Sequence, residues 1–271
     1  MRDAKLGVRS LITALVLLAI ASFNARGDES ADFLGHLHDF RVKNYVALDA
    51  YYRFSASGDT ETLNEIVGAV NEANSTMGAL IDSTAGVLSS AQVEGLNVEF
   101  DKFKELMRQN INDVKQTGYP DLRLMSEMAE QAAVMNDNAS SLYRTALEST
   151  KITPDKRVEA ARSAAVTLAQ MMAKYSVRSN SSVTQTFQGT ATDEPLDVKA
   201  KALDSLLAEI RKGKSTGELK ALLEDISSKW EFIRTSYINY NENNVSFVID
   251  RYSRGILEGL TATISLLQSQ A

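Results

Sequence analysis

His36 and His38 are the only imidazoles in the chain of 271 residues, and there is no cysteine. Two positions apart, the histidines fall on different faces of a helix, so they cannot form the i, i+4 pair of a helical metal site. Neither has the glutamate three residues before it that a di-iron carboxylate bundle needs. Without cysteine there are no disulfides, thiolate zinc sites or Cys-ligated iron–sulfur clusters. Lys212-Gly213-Lys214-Ser215 matches part of a phosphate loop, but the preceding glycine and strand are missing, and a helix–helix turn is expected there. Carboxylates are plentiful, yet none stands in an apolar context that would raise its pKa for acid–base work. The expectation is therefore a protein with no metal and no cofactor, and not an enzyme.

One polar grouping remains. A helix ending near residue 186 carries Asn180 and Gln185, and one ending near residue 244 carries Tyr237, Asn241 and Asn244. In an up-down bundle these ends share a pole, and the five residues are the candidate contacts for a small polar ligand.

The elements that would hold them are helices. Apolar residues make up 44%, and only 3 prolines interrupt the chain, too few for a turn-rich β sandwich. Apolar spacing alternates threes and fours, as in Phe33, Leu37, Phe40, Asn44, Ala47, Tyr51 and Phe54, or Val93, Leu96, Phe100, Phe103, Met107, Asn110 and Val114. The same reading assigns Leu63, Val67, Val70, Asn74, Met77, Ile81, Thr84 and Leu88 to a second seam. Val158, Ala161, Ala165, Leu168, Met172 and Tyr175 form a fifth, and Leu223, Ile226, Trp230, Ile233, Tyr237 and Tyr240 a seventh. The methionines are expected to fill the core, and Asn44, Asn74 and Asn110 to fix register from seam positions. Turn signals at Ser57-Gly58-Asp59-Thr60, Ser89-Ser90, Thr117 to Asp121, Thr153-Pro154-Asp155, Gly189 to Pro195, Lys212 to Gly217 and Asn241 to Asn244 divide the chain into eight helices. Shifting the third helix by 130 lays its seam on the seventh, a weak internal repeat. The fold expected is all-α: two tandem antiparallel four-helix bundles, 30–151 and 153–271, after an N-terminal signal segment.

That segment is a signal peptide or signal anchor at 1–25. Arg2, Lys5 and Arg9 precede an uncharged run, Leu11 to Phe23, too short to span a bilayer as a helix. Ala19-Ile20-Ala21 supplies a cleavage pattern, with Ala25 as a second candidate. Removal of 1–21 takes away three positive charges and one negative, moving the net charge from -6 to near -8. An acidic chain is not a general nucleic-acid binder, and the membrane would be met only through 1–25 if these stay attached.

Leu168-Ala169-Gln170-Met171-Met172-Ala173-Lys174-Tyr175 resembles the leading helix of the periplasmic sensing domain of type IV pilus methyl-accepting transducers, the PilJ type. Trp230, followed by Val248, Tyr252 and Ile256, is similar to that family's second half. The likeness covers about 157–270, and Val166 and Met171 stand where the family carries arginine. The resemblance implies a helical sensing module, here without a signalling domain of its own, in the bacterial periplasm or anchored to the inner membrane facing it. Its expected partner is a small polar ligand or an envelope protein, with a second copy of the chain as another. A structural adaptor bundle of an envelope assembly is the alternative.

Overall fold

The computed structural model describes residues 3–84, 86–150, 153–180, 194–240 and 245–270; side chains are described from residue 29 onward, except that of Asn180. The segment 1–25 lies outside the described side chains. Among the described residues there are eight α-helices and no strand: α1 (Asp3–Ser57), α2 (Thr60–Asp82), α3 (Ser90–Thr117), α4 (Leu122–Ser149), α5 (Lys156–Asn180), α6 (Leu196–Ile210), α7 (Gly217–Ile238) and α8 (Ser246–Ser269). The protein is an all-α helical bundle.

Local chemistry sets the boundaries. Asp59 caps α2 by accepting from the Thr62 amide at 2.7 Å, and Ser89 with Gln92 closes a capping box on α3. Gly118 ends α3 at φ 81, a left-handed position that glycine adopts without a Cβ clash. Asp121 then caps α4 through the Arg123 and Leu124 amides. At the start of α5, within the Thr153-Pro154-Asp155 turn, Asp155 takes the cap, accepting from the Arg157 amide at 2.6 Å.

Helices α1 and α2 run antiparallel, and so do α7 and α8. Arg53 of α1 meets Glu65 of α2 while Lys43 meets Glu72. Ile226 of α7 meets Gly259 of α8 while Tyr237 meets Ser253. The buried apolar residues form two clusters. One is built from α1 to α4, with Ala173 and Val177 of α5. The other is built from α5 to α8, with Val42 of α1 at its edge. Between them α1 lies along α5 in the same direction, because Gly35, Tyr45 and Asp49 meet Arg162, Gln170 and Ser176 in order.

The seams of α1 and α3 are buried at every expected position. That of α2 is rotated. Thr62, Ile66, Ala69, Ala73, Met77 and Leu80 face inward, while Val67 and Ile81 are nearly half exposed. Asn74 therefore is no seam residue; it is exposed, and its side chain accepts from Lys104 Nζ at 3.0 Å. Small residues on the true seam let α2 lie close to α1. Asn110 does hold a core position. It accepts from Tyr51 Oη at 3.0 Å and donates to the Leu106 and Leu124 carbonyls, joining α1, α3 and α4. The methionines at 77, 107, 125, 128, 135, 171 and 172 are all buried.

In the second cluster α7 and α8 approach most closely at Gly259, where a Cβ would stand 2.8 Å from Ile226 Cγ1. Gly259→Ala is therefore expected to destabilise by about 1–3 kcal/mol through overpacking, even though alanine is the better helix former. Urea unfolding measures it, and an Ile226→Val background should return part of the loss.

Candidate functional site

The groups with unusual surroundings sit where α1 meets α5. His38, Arg41, Tyr45 and Asp49 recur along α1 at steps of three and four, a polar stripe beside the apolar seam. Each contributes to one level of the junction.

At the first level, Tyr143 of α4 donates its hydroxyl to both Glu159 oxygens at 2.8 Å. Arg162 of α5 donates Nη1 to Tyr143 Oη at 3.0 Å and to Glu159 Oε1 at 3.2 Å. The Arg41 guanidinium lies 5.3 Å and that of Arg162 6.0 Å from the centre of the Tyr143 ring, within cation–π reach. His38 and Arg162 are each only 4% exposed. His38 Nδ1, Arg41 Nε and Arg162 Nε are buried without a hydrogen-bond partner, as are both amide atoms of Asn44, three residues further along α1.

At the middle level, Lys199 Nζ donates to Gln170 Oε1 at 2.9 Å, and Gln170 Nε2 donates to Tyr45 Oη at 3.2 Å. At the far level, Ser176 Oγ donates to Asp49 at 2.5 Å and Arg53 Nε to its other oxygen at 3.3 Å. Arg53 also meets Glu65 and Asp250, and Arg254 of α8 meets both of those acids. Asp49 corrects the expectation that no carboxylate stands in a pKa-raising environment. Burial pushes its pKa up, against the pull of Arg53, with Asp250 adding to the rise.

His38 moves the other way. Burial and then the charges of Arg162 and Arg41 pull it down from 6.5 to about 3, so it is neutral at physiological pH. Its folded pKa lies below its unfolded value. The stability it contributes is fully present above pH 6.5 and is lost as pH falls toward 3. The wild type should lose up to about 1.4 kcal/mol per pH unit from this one residue below pH 6.5. His38→Gln should remove that part of the slope in chemical unfolding measured from pH 7 to pH 4.5.

Of the five expected ligand contacts, Gln185, Asn241 and Asn244 lie outside the described residues, and so does the Asn180 side chain. Tyr237 is fully buried, its hydroxyl 2.9 Å from Ser253 Oγ and its ring edge-on to Tyr175 at 5.5 Å. The Lys212–Gly217 segment is the α6–α7 turn that was expected. Gly213-Lys214-Ser215-Thr216-Gly217 also spells the G-x-S-x-G of a serine-hydrolase elbow, a match passed over in the sequence. Among the described residues no strand precedes it, both histidines are on α1, and Ser215 Oγ in the turn accepts from Arg157 Nη2 of α5 at 2.8 Å. Among the described residues no group of three or more His, Cys, Asp and Glu side chains is placed to hold a metal ion. Nor is any described helix long and apolar enough to cross a membrane.

Sequence reasoning missed Arg41, Tyr143, Glu159 and Arg162. The signal was there in Arg162, a lone charge inside Ala160-Ala161-Arg162-Ser163-Ala164-Ala165. Comparison with protein-family models, curated proteins and solved structures finds no match to this chain.

Proposed function

We propose that this chain is a non-enzymatic helical binding module of the sensing type, exported to the bacterial periplasm or anchored facing it. In this reading it comprises two four-helix bundles, 30–151 and 153–271, after a signal segment at 1–25. It answers to a small polar ligand or an envelope protein. The observation that carries the reading is the α1–α5 junction. Beside the apolar contacts of Val42, Ala173 and Val177, the halves meet on hydrogen-bonded and charged groups, three of them with an unpartnered buried nitrogen. Such groups exchange partners when a ligand arrives, and the relative placement of α1 and α5 is what a sensing module would move. The likeness of 168–175 to PilJ-type sensing helices supports the same reading.

Cell fractionation with N-terminal sequencing tests location: a periplasmic or inner-membrane protein, cleaved near Ala21 or Ala25 or retained whole, is expected, and a cytosolic pool with an intact Met1 overturns it. A thermal-shift panel of small polar compounds on the purified chain tests binding.

A specific observation favours the adaptor reading as the second. Phe232 is 61% exposed, stacked on Tyr252 at 4.7 Å between ring centres, and Phe247 is 74% exposed. Crosslinked pull-down from the envelope fraction separates the two readings through recovery of a stoichiometric partner.

A further inference from the structure

The geometry points to the Arg41–Arg162 cluster as a binding site for the carboxylate group of a small organic acid, entering between α1 and α5 where Arg41 and Glu159 reach solvent. This deepens the ligand-binding reading above and rests on it, moving the ligand from the expected pole to the junction.

The first argument is charge. Two guanidiniums share one ring, yet only Glu159 is paired there, and only with Arg162. Among the described residues no carboxylate stands within ion-pair distance of Arg41. His38 is neutral and adds no further positive charge. The carboxylates that act on these two guanidiniums are Glu159 and Asp39, and Arg144 adds a third positive charge beside Arg41. One positive charge is left in excess, and a monoanion would neutralise it.

The second argument is the set of open donors. Arg162 Nε and Arg41 Nε have no partner, and His38 Nδ1 offers a third nitrogen from the same side of α1. A carboxylate accepts two parallel N–H bonds from a guanidinium fork, and Arg41 has its fork free. The cluster already seats one carboxylate, since Glu159 accepts from the Tyr143 hydroxyl and from Arg162 Nη1. The bound group would be the second, on the Arg41 side of the Tyr143 ring.

Thermal unfolding of the full chain in sodium acetate, against sodium chloride at equal ionic strength, tests the site with acetate as the probe. Acetate should raise the midpoint saturably beyond chloride, by about 5 °C at a hundredfold excess over its Kd. Arg41→Gln should abolish that difference with helicity unchanged, whereas Arg108→Gln, in a surface pair with Glu105, should leave it intact. Superimposed acetate and chloride curves, or an undiminished response in Arg41→Gln, overturn the site. Should Arg41→Gln lose helicity, Arg41→Lys decides: binding roughly tenfold weaker is expected from loss of the fork, and equal binding overturns the site. A wild type that answers to an uncharged or cationic compound but not to acetate removes this site and leaves the ligand-binding reading standing.

Discussion

Phe100→Ala is expected to cost about 3–5 kcal/mol and to lower the thermal midpoint by roughly 10 °C. Phe100 is fully buried, with its ring edge-on to Phe40 at 5.1 Å and an interplanar angle of 80°. Truncation removes the transfer energy of the ring, opens a cavity between α1 and α3, and deletes the aromatic pair, itself worth about 0.5–1.5 kcal/mol beyond burial. Neighbouring main chain is helical on both sides, so the gap closes only in part. Val98, two positions away and 45% exposed, is the control: Val98→Ala should stay within about 0.5 kcal/mol. Equal losses in the two variants would mean that the α3 seam is not the packed face.

Asp49→Ala should cost about 3 kcal/mol at neutral pH, and Asp49→Asn less than about 1 kcal/mol. Alanine leaves Ser176 Oγ and Arg53 Nε facing a void in the α1–α5 junction. Asparagine has the same shape, accepts from Arg53 and donates to Ser176. The pH dependence has a definite sign. The folded pKa of Asp49 lies above its unfolded value, so the stability it contributes is complete below the unfolded pKa and is lost as pH rises through the folded one. Wild type minus Asp49→Asn, measured by urea unfolding from pH 4 upward, should therefore fall with rising pH. A difference that rises instead would mean that Arg53 holds the carboxylate ionised against burial. The slope from His38 runs in the opposite sense, and the two single variants separate them.

What could be read in the sequence depended on how many faces a helix buries. α3 buries one, and all seven residues named on its seam are the buried ones. α2 carries aliphatics all round, so periodicity set the seam off to one side: Met77 and Leu88 are buried and Leu63 and Val70 pack on the core as expected, but Val67 and Ile81 are outside while Thr62, Ala69 and Ala73 are inside. α5 buries nearly everything. Beyond the six residues named for it, Ala160, Ala164, Ala169, Met171 and Ser176 are also covered, because α1 lies on one side and α6 and α8 on others. The site was illegible for the same reason. His38, Arg41, Tyr45 and Asp49 read as a solvated stripe so long as nothing said that α5 lies along it. A contact between segments more than 120 residues apart leaves no local period. Only the lone Arg162 among alanines hinted that a charge was going inside.

The parallel pairing of α1 and α5 also bears on the order of assembly. Contacts inside the first half reach from α1 to α4, as from Arg41 to Tyr143, 102 positions, whereas the junction joins residues 125 to 127 apart. The junction closes only once α5 has been made, after α1 to α4 are complete. During synthesis the face of α1 that awaits α5 is wetted by His38, Arg41, Tyr45 and Asp49, groups at home in water. A nascent first half can thus wait without offering a greasy surface to its neighbours, and the hydrogen bonds that later knit the junction protect the unfinished molecule from clumping.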